Sequence, residues 1–349
     1  MKIYTFNAAS DTPVELLWSL RPHHRDRAFE KFIAETQWTE TDSLKDCDLA
    51  IYPQKAFDPE SLAFNPAVLN AAKEAESQGK PLIIDATCDS DEPLDLPTAS
   101  ILRFGLYKSL KKSFETERPY WSNQKTKDDL EALEILPRST KPAVGFCGTT
   151  SAVGKYFKLG KALPLPVAKA LLSKGSVAKK IDIRLKKGMS HKLRETAIDL
   201  LTADPRIKGC FDVTNSLKDY YNAANTNRNL LENKFVENMN QCDYALCVRA
   251  NGNYSGRFYM ALNAGRIPLV IDTDVEIPFE DKIHFLRIPL NSLNQIGDLV
   301  LEHFENTTDQ EFQAMKQENR AAYNQLMAPD RFIPNFVERL WQTIDPHHS

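Results

Sequence analysis

The chain has 349 residues, 42% hydrophobic and 26% charged, with a formal net charge of −3 at pH 7. That length provides for one large or two medium domains with sizeable cores. The weakly acidic balance argues against a general nucleic-acid binder, and no apolar run is long enough to cross a bilayer as a helix.

In chain order, residues 1–7 read as a first strand and 25–35 as a helix. His23 and His24, just before it, titrate in a useful range but are more simply surface histidines. A second strand is expected over 47–52, bounded by Pro53, then a helix over 66–79 with three alanines and a terminal glycine. Residues 80–85 form the next strand. It opens onto an acidic loop holding Asp85, Asp89, Asp91, Glu92 and Asp95. Open α/β sheets place ligands at the carboxyl ends of strands, so Asp89 and Asp91 are candidates for a general base. The ordinary alternative is a solvated acidic loop. A further strand is expected over 100–104, and the polar stretch 113–138 reads as a linker.

A second strand–helix series starts at Lys141. The strand 142–147 opens onto Gly148, Thr149, Thr150 and Ser151, which offer hydroxyls at a strand end. Gly154-Lys155 makes no phosphate-binding P-loop, because Gly148 lies six residues before Gly154 instead of five and Tyr156 stands where Ser or Thr is needed. Ser190 is the expected cap of a helix running to Ala203, which puts Arg194 in its first turn. Residues 230–240 read as a helix, 244–248 as a strand, and 285–288 as a short strand. Helices follow over 292–305, 309–326 and 332–344. Alternating strands and helices indicate mostly parallel α/β sheets.

Six cysteines stand singly, without CxxC or His/Cys ligand spacing, so no zinc site is expected. Cys47, Cys147, Cys210 and Cys247 lie in apolar runs and read as buried reduced thiols. The opening MKIYTFNAASD lacks the apolar segment of a signal peptide. Together these imply a cytoplasmic chain. Between Lys155 and Lys187 there are ten Lys/Arg and one acid, Asp182. A solvated face explains that run. An anionic acceptor, or peripheral contact with the negatively charged inner face of a membrane, explains it functionally.

The stretch 244–272 reads as strand, loop, short helix, strand. Asn251, Gly252 and Asn253 suit a tight loop with positive φ. Ser255 suits an N-cap, and Gly265 suits the left-handed C′ position. Arg257 falls in the helix's first turn, where the dipole disfavours a cation. The residue makes sense there if it and the free N–H groups share a phosphate; Arg249 adds a second cation. The alternative is a surface arginine on an ordinary helix. Asp272 and Asp274 follow a strand and are more simply turn-forming than metal-binding.

Residues 247–281, CVRANGNYSGRFYMALNAGRIPLVIDTDVEIPFED, closely resemble the C-terminal signature of bacterial exostosin-type glycosyltransferases. Those chains run CVRGxGNxSxRFYExLxxGRIPVxIDTD, followed by Leu-Pro-Phe or similar. The run VGFCG at 144–148 resembles the family too. The resemblance implies two Rossmann-like domains facing across a cleft, the GT-B architecture: an acceptor-side domain over 1–140, a nucleotide-sugar-binding domain over 141–330, and a terminal helix and tail over 331–349 that crosses back. It implies inverting transfer from a nucleotide sugar to a glycan or glycolipid acceptor, in polysaccharide biosynthesis. The donor would be held by Gly148, Thr149, Arg194, Arg249, Gly252, Asn253, Tyr254, Ser255, Arg257, Phe258 and Met260. We expect arginines, with no metal or other cofactor, to neutralise the leaving diphosphate. Met260 departs from the family, which usually carries an acid there. That departure keeps open a second reading, a non-catalytic nucleotide- or glycan-binding protein on the same scaffold. A nicotinamide-dependent oxidoreductase is disfavoured, because no GxGxxG follows the first strand.

Overall fold

The computed structural model describes residues 1–6, 16, 36–58, 60–151, 154–214 and 225–344. The helix expected over 25–35, with His23 and His24, lies outside the described residues. The chain divides into two compact units. One comprises the described residues of Met1–Leu106, Lys111–Gln124 and Gln325–Ser349; the other comprises those of Tyr107–Leu110 and Lys125–Asn324.

The first unit carries a six-stranded sheet: β1 (Lys2–Tyr4), β2 (Thr39–Glu40), β3 (Leu49–Lys55), β4 (Leu82–Asp85), β5 (Ala99–Arg103) and β6 (Glu115–Glu117). Every pairing is parallel, in the order β2-β1-β3-β4-β5-β6. Ile51, Ile83, Ile84 and Ile101 are fully buried, as strands covered on both faces must be. Helix α1 (Ala67–Ser77) buries Val68, Ala71, Ala72 and Ala75 along one stripe, the period of an amphipathic helix. Gly79 at φ +61° ends it.

Pro53 does not bound β3. The strand continues through it, and its register against β4 shifts between Ile51 and Lys55. Proline lacks the N–H that a regular ladder needs, so it sits at an irregularity. The expected linker over 113–138 is structured as well: it holds β6 and helix α2 (Gln124–Glu131). Two of its acids are spent internally. The Glu117 carboxylate accepts from the N–H groups of Gly105 and Leu106, both at 2.8 Å, and Glu115 faces Arg103 at 3.5 Å.

The second unit carries β7 (Ala143–Thr149), β8 (Lys208–Thr214), β9 (Tyr244–Cys247), β10 (Ile267–Asp272) and β11 (Leu286–Pro289), all parallel, in the order β11-β10-β9-β7-β8. The order reverses between β7 and β9, which makes their carboxyl ends the topological switch point. Helices α3 (Lys155–Ala162), α4 (Leu165–Leu172), α5 (Gly175–Ala178) and α6 (Ile183–Ala203) follow β7. Helix α7 (Asn225–Asn240) precedes β9, and α8 (Gly256–Asn263) joins β9 to β10. Then come α9 (Ile296–Glu305) and α10 (Asp309–Ala322). A core of Val144, Phe146, Met189, Leu193, Leu246 and Leu269, among others, lies against the sheet.

Helix α6 starts seven residues before the expected cap. Asp182 caps it by accepting from Arg184 N–H at 2.8 Å. Ser190 is fully buried mid-helix, and its hydroxyl donates to the Lys186 carbonyl at 2.8 Å. That is the usual way a helix interior absorbs a serine.

The last helix, α11 (Pro329–Ile344), returns to the first unit. Trp121 Nε1 donates to the Met327 carbonyl at 2.7 Å, and its ring meets Phe332 edge-on at 5.9 Å. All six cysteines are free. Cys147 and Cys210 are half-buried, against expectation: Cys147 lies near the open end of β7 and Cys210 on the edge strand β8. No helix among the described residues is long and apolar enough to cross a membrane.

Candidate functional site

At the switch point the carboxyl ends of β7 and β9 part, and Arg194 bridges the gap from α6. Its Nη1 donates to the Thr149 carbonyl at 2.6 Å. Its Nη2 reaches the Val248 and Arg249 carbonyls at 3.5 and 3.4 Å. These carbonyls lie at the carboxyl ends of β7 and β9, and a cation from the neighbouring helix satisfies them.

Arg257 projects from the first turn of α8 toward the same strand ends. Its guanidinium carbon lies 4.4 Å from the centroid of the Phe146 ring on β7 and 4.8 Å from that of Phe235 on α7. Gly148 leaves it room: a Cβ there would lie 3.4 Å from Nη2. The aromatic faces hold the cation, but Nη1 is enclosed without an acceptor.

On the other side of β9, the start of α8 borders a small cavity of about 30 Å³ that opens to solvent. Arg249, Asn253, Ser255, Phe258, Thr273 and Glu276 are among its walls. Arg249 is 3% exposed. Its Nη1 donates to Asn253 Oδ1 at 2.9 Å, and Thr273 Oγ1 donates to the same oxygen at 2.8 Å. Arg249 Nε has no acceptor. The backbone N–H groups of Gly256 and Arg257 find none among the described residues.

No Asp or Glu among the described residues forms an ion pair with Arg194, Arg249 or Arg257. Burial, and then the neighbouring Arg257 charge, push Arg194 down to about 9, so it stays protonated at pH 7. Burial also lowers Arg257. His191, one turn before Arg194 on α6, is pushed down to about 3 by burial and then by Arg194. The arrangement is a cationic crevice beside a helix N-terminus, short of counter-charge, and it can hold an anion.

The strand–loop–helix layout of 244–272 matches the sequence pattern, with two local differences. Asn251, Gly252 and Asn253 do not adopt positive φ. The loop is instead closed by Ala250 N–H donating to the Tyr254 carbonyl at 3.1 Å and by the Asn253 side chain. Ser255 occupies the N-cap position, but its side chain does not cap α8. Gly265 has φ +62°, with Gly265 and Arg266 N–H donating to Leu262 and Ala261, a Schellman ending.

Arg249, Asn253, Tyr254, Ser255 and Phe258 come together at the cavity. Gly148, Thr149, Arg194 and Arg257 come together at the switch point. Gly252 is buried in the intervening loop, and Met260 is half-buried one turn beyond Arg257. Arg194 is not in a first turn: it lies in the fourth turn of α6, so its position does not oppose the dipole. Asp89 and Asp91 are half-buried in the first unit. Arg103 steadies their loop by donating to the Ser90 and Glu92 carbonyls at 3.0 and 2.8 Å.

The Asp274 carboxylate is occupied by Ser109 and by the Gly175 N–H at 3.0 Å, and Asp272 by Asp274 N–H and Arg287. This is the turn-forming role. No group of three or more His, Cys, Asp or Glu among the described residues is placed to hold a metal ion. The sequence reading missed Phe146, Phe235, Thr273 and Glu276. Only the apolar run before Gly148 hinted at Phe146.

No family model and no curated relative matches the chain. Among solved structures, HepE of Anabaena in complex with UDP and glucose is similar at 12% identity, covering 97% of this chain and 99% of that one, with a TM-score of 0.38. A glycosyltransferase from Rickettsia africae is similar at 8% identity, covering 97% and 84%, with a TM-score of 0.38. The spinosyn forosaminyltransferase SpnP is similar at 12% identity, covering 97% and 98%, with a TM-score of 0.34. At these scores the fold rests on the sheet topology described above.

Proposed function

We propose that the chain is a glycosyltransferase that moves a sugar from a nucleotide-sugar donor to a glycan or glycolipid acceptor, with inversion and in the manner of exostosin-type enzymes. The observation that carries the reading is Arg257, a cation in the first turn of α8 with an enclosed, unpaired Nη1 and no carboxylate partner. The resemblance of residues 247–281 to the family signature supports it independently.

In the reaction the acceptor oxygen bonds to the anomeric carbon as the bond from that carbon to the diphosphate oxygen breaks. Negative charge grows on the departing nucleoside diphosphate, and fixed cations stabilise it most at that moment. Arg257, Arg249 and the free N–H groups at the start of α8 fill this role. Arg194 holds the strand ends in place and adds positive potential. Asp89 or Asp91 takes the acceptor proton as general base.

A second reading, nucleotide or glycan binding without turnover, is favoured by Met260, which cannot accept strong hydrogen bonds from a ribose. A melting-temperature screen with UDP, GDP, CMP and their sugars tests both readings. A ligand at a hundred times its Kd should stabilise by about 2.7 kcal/mol. No shift with any of them would overturn the transfer reading and the nucleotide-binding form of the second. A shift without slow donor hydrolysis would favour the binder.

A further inference from the structure

Four of the seven exposed large apolar side chains among the described residues, Tyr156, Leu159, Val167 and Val177, fall within 22 residues on α3 to α5. The same segment, 155–187, holds ten Lys/Arg and one acid in a chain whose overall charge is −3, so the remainder is net acidic. Isolated surface leucines are ordinary. Their concentration on the one strongly basic segment is not.

Helix packing determines which face turns outward. Gly160 of α3 and Gly188 of α6 bring the two backbones into contact: a Cβ on Gly160 would lie 2.2 Å from the Leu185 carbonyl oxygen, and one on Gly188 2.2 Å from that of Phe157. With that side sealed, Lys155, Leu159 and Ala162 form the middle of the outer face, at successive turns, flanked by Tyr156 and Lys158; all five are exposed. Pro166, Val167 and Ala170 are the exposed positions of α4. Arg184 lies over the Tyr156 ring at 4.2 Å. Lys155, Lys158, Lys174 and Lys180 are exposed and form no ion pair among the described residues.

We infer that the outer face of α3 and α4 is a docking surface for an anionic lipid bilayer. Lysines alone would suit any polyanion. The interleaved tyrosine, leucine and valine gain only from a surface with an apolar layer beneath its charges. Side chains at this depth enter the boundary between headgroups and acyl chains while the lysines stay with the headgroups. The inference stands apart from the transfer reading, since none of these residues lies in the cationic crevice or the cavity.

The full chain should co-sediment with vesicles of mixed phosphatidylglycerol and phosphatidylcholine, bind pure phosphatidylcholine at least about tenfold more weakly, and lose binding as salt is raised. Lys155→Ala with Lys158→Ala should weaken binding by about tenfold or more. Tyr156→Ser with Leu159→Ser should weaken it further at high salt. Both pairs are exposed, and unchanged melting temperatures would verify folding. Equal binding to both vesicles, binding to neither, or unchanged binding in the Tyr156/Leu159 variant would overturn the assignment. Capture by dextran sulfate without vesicle binding would assign the face to a soluble polyanion instead.

Discussion

The Arg257 guanidinium carbon sits 4.4 Å from the centre of the Phe146 ring, with the Phe235 ring at 4.8 Å. Aromatic faces thus take the place of a carboxylate. They hold a half-buried cation in position without neutralising it, which leaves its charge for a ligand.

Arg257→Ala should lower turnover by about 10²–10³, the scale for losing one fixed donor at developing charge, and should raise the apparent donor constant less than it lowers turnover. Arg257→Lys should recover only part, because a lysine lacks the planar fork. The fold should survive both changes, since neither breaks an ion pair. Steady-state rates with melting temperatures check this. Turnover like wild type in a folded Arg257→Ala protein would end the phosphate-site reading.

Met260 lies one turn from Arg257. If a donor ribose passes that face, Met260→Glu should tighten nucleotide binding, since a charged acceptor contributes roughly 1.5–3 kcal/mol. Calorimetry with the nucleotide found in the melting screen measures it. Unchanged affinity would show that Met260 serves as packing.

His191 is 3% exposed and its pKa is pushed down to about 3. An unfolded histidine titrates near about 6.5. Between those values the unfolded chain binds a proton that the folded chain refuses. Stability is therefore full above about pH 6.5 and falls as pH drops, by about 2 kcal/mol at pH 5. Urea unfolding at pH 7 and pH 5 should show the loss in wild type and a smaller one in His191→Gln. Equal losses would place the acid sensitivity elsewhere.

Gly160→Ala should destabilise the second unit by about 1–3 kcal/mol. The added Cβ would meet the Leu185 carbonyl of α6, a backbone atom with little freedom to move. A lowered urea midpoint with unchanged slope is the expected result, and a neutral outcome would mean that α3 shifts freely on α6.

The sequence by itself determined the layout of 244–272, the parallel α/β class and the amphipathic last helix. Those features rest on local signals: apolar runs of strand length, a glycine at a left-handed helix end, an amphipathic period. Only the tertiary structure decided the role of Ser190, whose hydroxyl bonds one turn back inside a helix that Asp182 starts. It likewise placed Arg194 in the fourth turn of α6, bonded to the Thr149 carbonyl, and turned Glu115–Glu117 from an apparent linker into a buried strand. The reason is common to all three. A polar side chain's position depends on the partner that satisfies it once water is gone, and for Arg194 and Glu117 that partner lies 45 and 11 or 12 residues away. No local pattern in the sequence records that pairing.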